Sequence, residues 1–87
     1  MITRTAVIAS KTGLHARPAA LFAKAAGEAG VPVKISKEGK EPVAANSLLQ
    51  IMTLGAEQGD TVTLHAEDGA EAALDKLVVM LETDLDA

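Results

Sequence analysis

The chain has no cysteine, no tryptophan and no tyrosine, and Phe22 is its one phenylalanine. Folding must therefore do without disulfide staples, and the lack of thiols fits a reducing compartment. Basic side chains are few: 8 Lys and Arg stand against 12 Asp and Glu, for a net charge of −4. A nucleic-acid partner is not expected, because such binding draws on basic stripes and often on aromatic stacking platforms. The two histidines, His15 and His65, lie far apart with no cysteine or H-x-x-x-H spacing beside them, so neither a metal site nor a cofactor is expected. No uninterrupted apolar run approaches the length of a membrane span, and membrane insertion is not expected. Met1-Ile2-Thr3-Arg4 is not a charged leader before an apolar run, so no secretory signal is expected and the cytoplasm is the default location.

What the chain does have is apolar residues, 48% of its 87, enough for a core in one small domain spanning residues 1–87. Their spacing alternates between the strand and helix periods. Ile2 to Ala9 reads as a strand with Ile2, Ala6 and Ile8 on one face. Ala16 to Ala29 reads as a helix whose inward stripe is Ala19, Leu21, Phe22, Ala25, Ala26 and Ala29, weakened by Gly27 and stopped by Gly30. Val31 to Ser36 is a second strand with Val31, Val33 and Ile35 inward, followed by a hairpin turn at Lys37-Glu38-Gly39-Lys40. Val43-Ala44 is a short third strand, and Pro42 relegates it to an edge. Ser47-Leu48-Leu49-Gln50 reads as a capping box opening a short helix that ends before Gly55. Thr61 to Ala66 is a fourth strand, on which His65 shares a solvent-facing side with Thr61 and Thr63. A last helix starts at Asp68 or Gly69 and repeats Ala70, Ala73, Leu74, Leu77, Val78 and Leu81 at helical spacing. The order is βαββαβα, and one four-stranded sheet with helices on one face is the natural two-layer solution.

The chemistry concentrates in Gly13-Leu14-His15-Ala16-Arg17-Pro18-Ala19. Gly13 permits a tight turn, and Pro18 suits the first turn of the helix that follows. His15 then lies just ahead of unpaired backbone N–H groups at the positive end of a helix dipole, a setting that attracts phosphate. Arg17 adds a planar, permanently charged fork suited to phosphate oxygens. A cation near a helix start opposes the dipole, so stability does not account for Arg17. The alternative is that His15 is an ordinary surface or cap residue.

The short helix is apolar nearly all round, with Leu48, Leu49, Ile51, Met52 and Leu54. A surface helix needs one apolar face, so we expect Ile51 and Leu54 in the core and Leu48, Leu49 and Met52 in an exposed partner patch beside His15. Ala16, Ala20 and Lys24 would flank it. The competing reading places all five apolar side chains in the core.

The heptad around His15, together with Ser47-Leu48-Leu49-Gln50-Ile51-Met52-Thr53-Leu54-Gly55, resembles HPr, the histidine-containing phosphocarrier family of the bacterial phosphoenolpyruvate-dependent sugar phosphotransferase system. The resemblance covers essentially the whole chain. It implies an α+β fold, an open-faced β-sandwich of βαββαβα order with a four-stranded antiparallel sheet covered on one face by three helices. It implies that His15 accepts a phosphoryl group at ring Nδ1 from phosphorylated enzyme I and donates it to enzyme IIA. Arg17 would stabilise the phosphoryl charge, and the backbone N–H groups of Ala16 and Arg17 would complete the cradle. Neutral imidazole is the attacking form, so transfer is expected to fade as the medium turns acid. The chain would act as a monomeric carrier and not as an enzyme.

In many members from Gram-positive bacteria the residue matching Ser47 is phosphorylated by an HPr kinase/phosphorylase. A cap serine needs no such role, since the capping box explains it. This chain also departs from the common pattern at Asn46, where a lysine is usual, and by one extra residue between Gly39-Lys40 and Ser47. Three other readings stay open on the sequence: the carrier of a nitrogen-related phosphotransfer branch, a regulatory module docking to a transcription factor or enzyme, and a small enzyme using His15 as a general base. An intact His15 and Arg17 count against the pure regulator. The lack of a second evident acid/base group counts against the enzyme.

Overall fold

The computed structural model describes residues 1–85. Its elements are β1 (Ile2–Val7), α1 (Ala16–Gly27), β2 (Val33–Lys37), β3 (Val43–Ala44), α2 (Leu48–Met52), β4 (Thr61–Ala66) and α3 (Glu71–Leu81). The strands form one sheet in the order β1-β4-β2-β3, and all three pairings are antiparallel. The fold is thus the α+β open-faced sandwich that the periodicities and the resemblance predict. No helix among the described residues is long and apolar enough to cross a membrane.

Strand alternation explains why the sheet has one covered and one open face. Ala6, Val62, Leu64, Ala66, Val33 and Ile35 share registers on the covered side and are all buried. Phe22 and Ala26 of α1, Ile51 of α2, and Leu74, Leu77 and Leu81 of α3 close over them in one cluster. Thr3, Thr5, Thr61, Thr63, Lys34, Ser36 and His65 alternate onto the other side.

Several boundaries differ from the sequence reading for identifiable reasons. The second strand begins at Val33, not Val31, because Pro32 cannot donate to a ladder, and Val31 is left exposed. Ala9 lies beyond β1, although Ile8 still exchanges hydrogen bonds of 2.9 Å with Asp60 and Gly59. Helix α1 ends at Gly27, and Leu21 is 42% exposed, outside the inward stripe expected for it. The buried arc runs instead through Pro18, Ala19, Phe22, Ala23 and Ala26, and at 100° per residue Leu21 falls on the outer side with Arg17 and Lys24. Helix α3 starts at Glu71, after Gly69 takes a φ of 97°.

The capping box forms only in half. Ser47 Oγ accepts the Gln50 N–H at 3.4 Å, but the Gln50 side chain accepts from the Ala44 N–H at 3.0 Å. Ser47 N–H donates instead to Ala44 C=O. Gln50 therefore ties the helix to the edge strand β3, which has only two residues of its own to hold it.

Candidate functional site

The loop before α1 is shaped by a close backbone contact. Gly13 has a φ of 70°, and a Cβ there would lie 2.4 Å from Ala56 C=O and 2.7 Å from Glu57 Cα. Only glycine fits both the conformation and the space. Leu14 N–H donates to Ala56 C=O at 2.9 Å, and the Leu14 and Ala56 side chains are buried. The chain reaches His15 pinned to the segment that follows α2.

His15 is the N-cap of α1, with extended backbone (φ −94°, ψ −170°) and no side-chain cap hydrogen bond. Its carbonyl accepts the first helical bond, from Ala19 N–H at 2.8 Å. The N–H groups of Ala16 and Arg17 have no acceptor within the helix, and Pro18 has no N–H at all. An asparagine at this position would accept an N–H in the first turn through its side-chain oxygen. The His15 ring leaves that bond unmade, so both the ring and the two amides remain available to an outside group. No acidic residue in the first turn offsets the dipole. His15, Ala16 and Arg17 are exposed, whereas the next two residues, Pro18 and Ala19, are buried. A nucleophilic ring beside unfilled donors on a rigid helix end can hold an oxyanion bonded to that ring.

The short helix divides its apolar residues as the spacing predicts. Ile51 and Leu54 are buried, while Leu49 is 77% exposed and Leu48 and Met52 are exposed at 36% and 39%. Helices α1 and α2 pack against each other, and Ala16, Ala20 and Lys24 are exposed along α1 at four-residue spacing. Leu21 is a fourth large apolar side chain on these two helices' outer surfaces, where the helical spacing predicts a core position for it.

The remaining candidates stand apart. Ser47 is half-buried, with its hydroxyl used as the α2 cap. His65 is half-buried on the open face of the sheet, where a ring nitrogen lies 2.7 Å from Ser36 Oγ. A cross-strand hydrogen bond accounts for it.

Beyond α2, two lysines of the β2–β3 hairpin bind carbonyls at the helix's trailing end. Lys40 Nζ donates to Thr53 C=O at 3.2 Å and Lys37 Nζ to Gly55 C=O at 3.1 Å. Lys37 also pairs with Asp60 at 3.0 Å. The Glu57 backbone N–H first, and then Lys37, hold the Asp60 carboxyl below the usual carboxylate range. A depressed folded-state value means stabilisation that is present at neutral pH and is lost as pH falls through that value. Below about pH 4, therefore, wild-type stability should decline more steeply than that of Asp60→Asn, as read from urea midpoints at successive pH. Parallel curves would show that the pair contributes nothing.

Residues 2–83 match the family described as the PTS HPr component phosphorylation site. The chain belongs to the HPr family. It is 45% identical over 75 residues to the phosphocarrier protein HPr of Streptomyces coelicolor, covering 85% of this chain and 81% of that one. The crystal structure of HPr-C-His from Thermoanaerobacter tengcongensis superposes with a TM-score of 0.77 at 41% identity, covering 94% of this chain and 96% of that one. A crystal structure of an HPr dimer from the same organism aligns at 39% identity with a TM-score of 0.63, covering 97% of this chain and all of its counterpart. HPr proteins are phosphocarriers of the phosphotransferase system.

Proposed function

We propose that this chain carries a phosphoryl group on His15 between phosphorylated enzyme I and enzyme IIA, as the resemblance implies, and that it does so without being an enzyme in its own right. The observation that carries the reading is the N-cap His15 with its cap bond unmade above the unfilled Ala16 and Arg17 N–H groups. In the loading step the lone pair of neutral Nδ1 attacks phosphorus, the N–P bond forms, and the bond from phosphorus to the donor breaks with its electron pair leaving on the donor. Discharge is the same exchange with enzyme IIA as the nucleophile. Ala16 and Arg17 N–H and the Arg17 guanidinium stabilise the charge on the three transferred oxygens. The N–P bond is a covalent intermediate that divides one long-range transfer into two short ones. Incubating the phosphorylated chain with enzyme IIA tests the relay: phosphate should leave this protein and appear on enzyme IIA. Retention on this protein would overturn the carrier role.

Both partners must dock over the same helix end, and the exposed Leu48, Leu49 and Met52 with Ala16, Ala20, Leu21 and Lys24 form the surface for it. A modest apolar patch with polar flanks suits transient exchange. Leu49→Asp should raise the KM for this carrier with enzyme I roughly 10- to 100-fold, with the Tm nearly unchanged because the side chain is exposed. An unchanged KM would place docking elsewhere.

We further propose that the carrier is a monomer, located in the cytoplasm. The free edge of β1 is a strand-pairing hazard, yet Arg4 Nη1 bonds Thr3 C=O at 2.9 Å, Glu82 accepts Val7 N–H at 3.1 Å and Leu81 C=O accepts Ala9 N–H at 3.0 Å. Sedimentation should give the monomer mass, and a dimer would contradict this. Ser47 is left as a helix cap, because its hydroxyl is engaged there and the resemblance alone speaks for its regulation.

A further inference from the structure

We infer that Lys37 and Asp60, which lie outside both the phosphate site and the docking surface, form a clamp that positions the His15 loop. This inference rests on the function proposed above. Lys37 occupies a register position of β2 where a hydrophobic residue is expected: Val33 and Ile35 on the same covered side are buried. At the sheet's rim its ammonium turns to Gly55 C=O, at 3.1 Å, and to Asp60 Oδ2, at 3.0 Å. The same Asp60 oxygen accepts Glu57 N–H at 2.9 Å, and Asp60 N–H returns a bond to Glu57 C=O at 3.0 Å.

Gly55 and Glu57 are the two neighbours of Ala56, so the ion pair grips the backbone on both sides of that residue. Ala56 C=O in turn accepts Leu14 N–H at 2.9 Å and receives the bare Cα of Gly13. Leu14 is bonded directly to His15. The path from Lys37 to the imidazole thus runs through three hydrogen bonds and one peptide segment, with Leu14 and Ala56 both buried at its centre.

A half-exposed ion pair adds little to global stability, and the side-chain exposures of Lys37 and Asp60 are 28% and 34%. Its effect should fall on position, because misplacing a reacting group by about 1 Å can cost on the order of 100-fold in rate. Lys37 and Asp60 are positioning residues. They touch no reacting atom.

Amide hydrogen exchange and transfer kinetics on Lys37→Ala, Asp60→Asn and the double variant test the clamp. Leu14 N–H should exchange at least tenfold faster in each, while Leu64 N–H in β4 stays at its wild-type rate. The kcat for accepting phosphate from enzyme I should fall about tenfold with the KM retained, and Lys37→Arg should restore most of it. The double variant should lose less than the sum of the two single losses, since both single variants break the one Lys37–Asp60 pair. Unchanged Leu14 exchange, or additive losses in the double variant, would overturn the clamp. The exchange readout needs no phosphate. If wild-type protein accepted none, the carrier reading would fail while the clamp would still be decided by Leu14.

Discussion

Gly13→Ala should cost about 2–5 kcal/mol of stability, the sum of roughly 1–2 for a left-handed alanine and 1–3 for forcing a methyl into packed backbone. The methyl would sit 2.4 Å from Ala56 C=O and 2.7 Å from Glu57 Cα, and neither is a flexible side-chain tip that can swing aside. In a chain of this size such a loss lowers Tm by roughly 10 °C or more. Gly39→Ala is the matching control, because Gly39 has a φ of 84° but nothing within 4 Å of the added carbon. It should show only the conformational part, about 1–2 kcal/mol. Urea denaturation of the two variants separates the clash from the strain, and equal losses would mean that the Gly13–Ala56 approach is looser than described. Gly13→Ala should also slow phosphate acceptance in the fraction that remains folded, since the loop it displaces carries His15.

Arg17→Ala should lower the rate of phosphate acceptance about 100-fold, near the lower end of what removing a charge-stabilising donor costs in a site closed to water. The guanidinium is exposed in the free protein and makes no stabilising contact with the helix dipole, so the Tm should hold or rise slightly. Arg17→Lys should recover part of the rate, because it keeps the charge and loses the fork. Single-turnover transfer from phosphorylated enzyme I measures both. A full rate in Arg17→Ala would leave the phosphate held by the backbone N–H groups alone.

These two residues also show where the sequence was legible. Gly13, His15, Arg17 and Pro18 are contiguous, and their conformational and electrostatic consequences are local, so the helix end could be read from seven letters. The element order and the open face of the sheet followed from the alternation of strand and helix periods, and the edge position of β3 from Pro42. The sheet order β1-β4-β2-β3, by contrast, is set by pairings that meet only in three dimensions. Leu21 could not be placed this way, because a helix that is half alanine gives little contrast between its faces. Val31 reads as a strand residue because the alternation continues through Pro32, and only the missing N–H interrupts the ladder. Gln50 matched the capping box in type and spacing, yet the nearby Ala44 N–H competed for its side chain. The Lys37–Asp60 clamp was the least visible part, since it joins residues from a hairpin and a loop that meet only in three dimensions. Its one trace in the sequence is a lysine in step with Val33 and Ile35.

Phosphorus NMR of the protein after incubation with enzyme I and phosphoenolpyruvate tests most directly whether His15 is the phosphoryl carrier. A single phosphohistidine signal, lost in acid, stable in alkali and absent from His15→Ala, is the expected result. No such signal in the wild-type protein, or one that persists in His15→Ala, would contradict it.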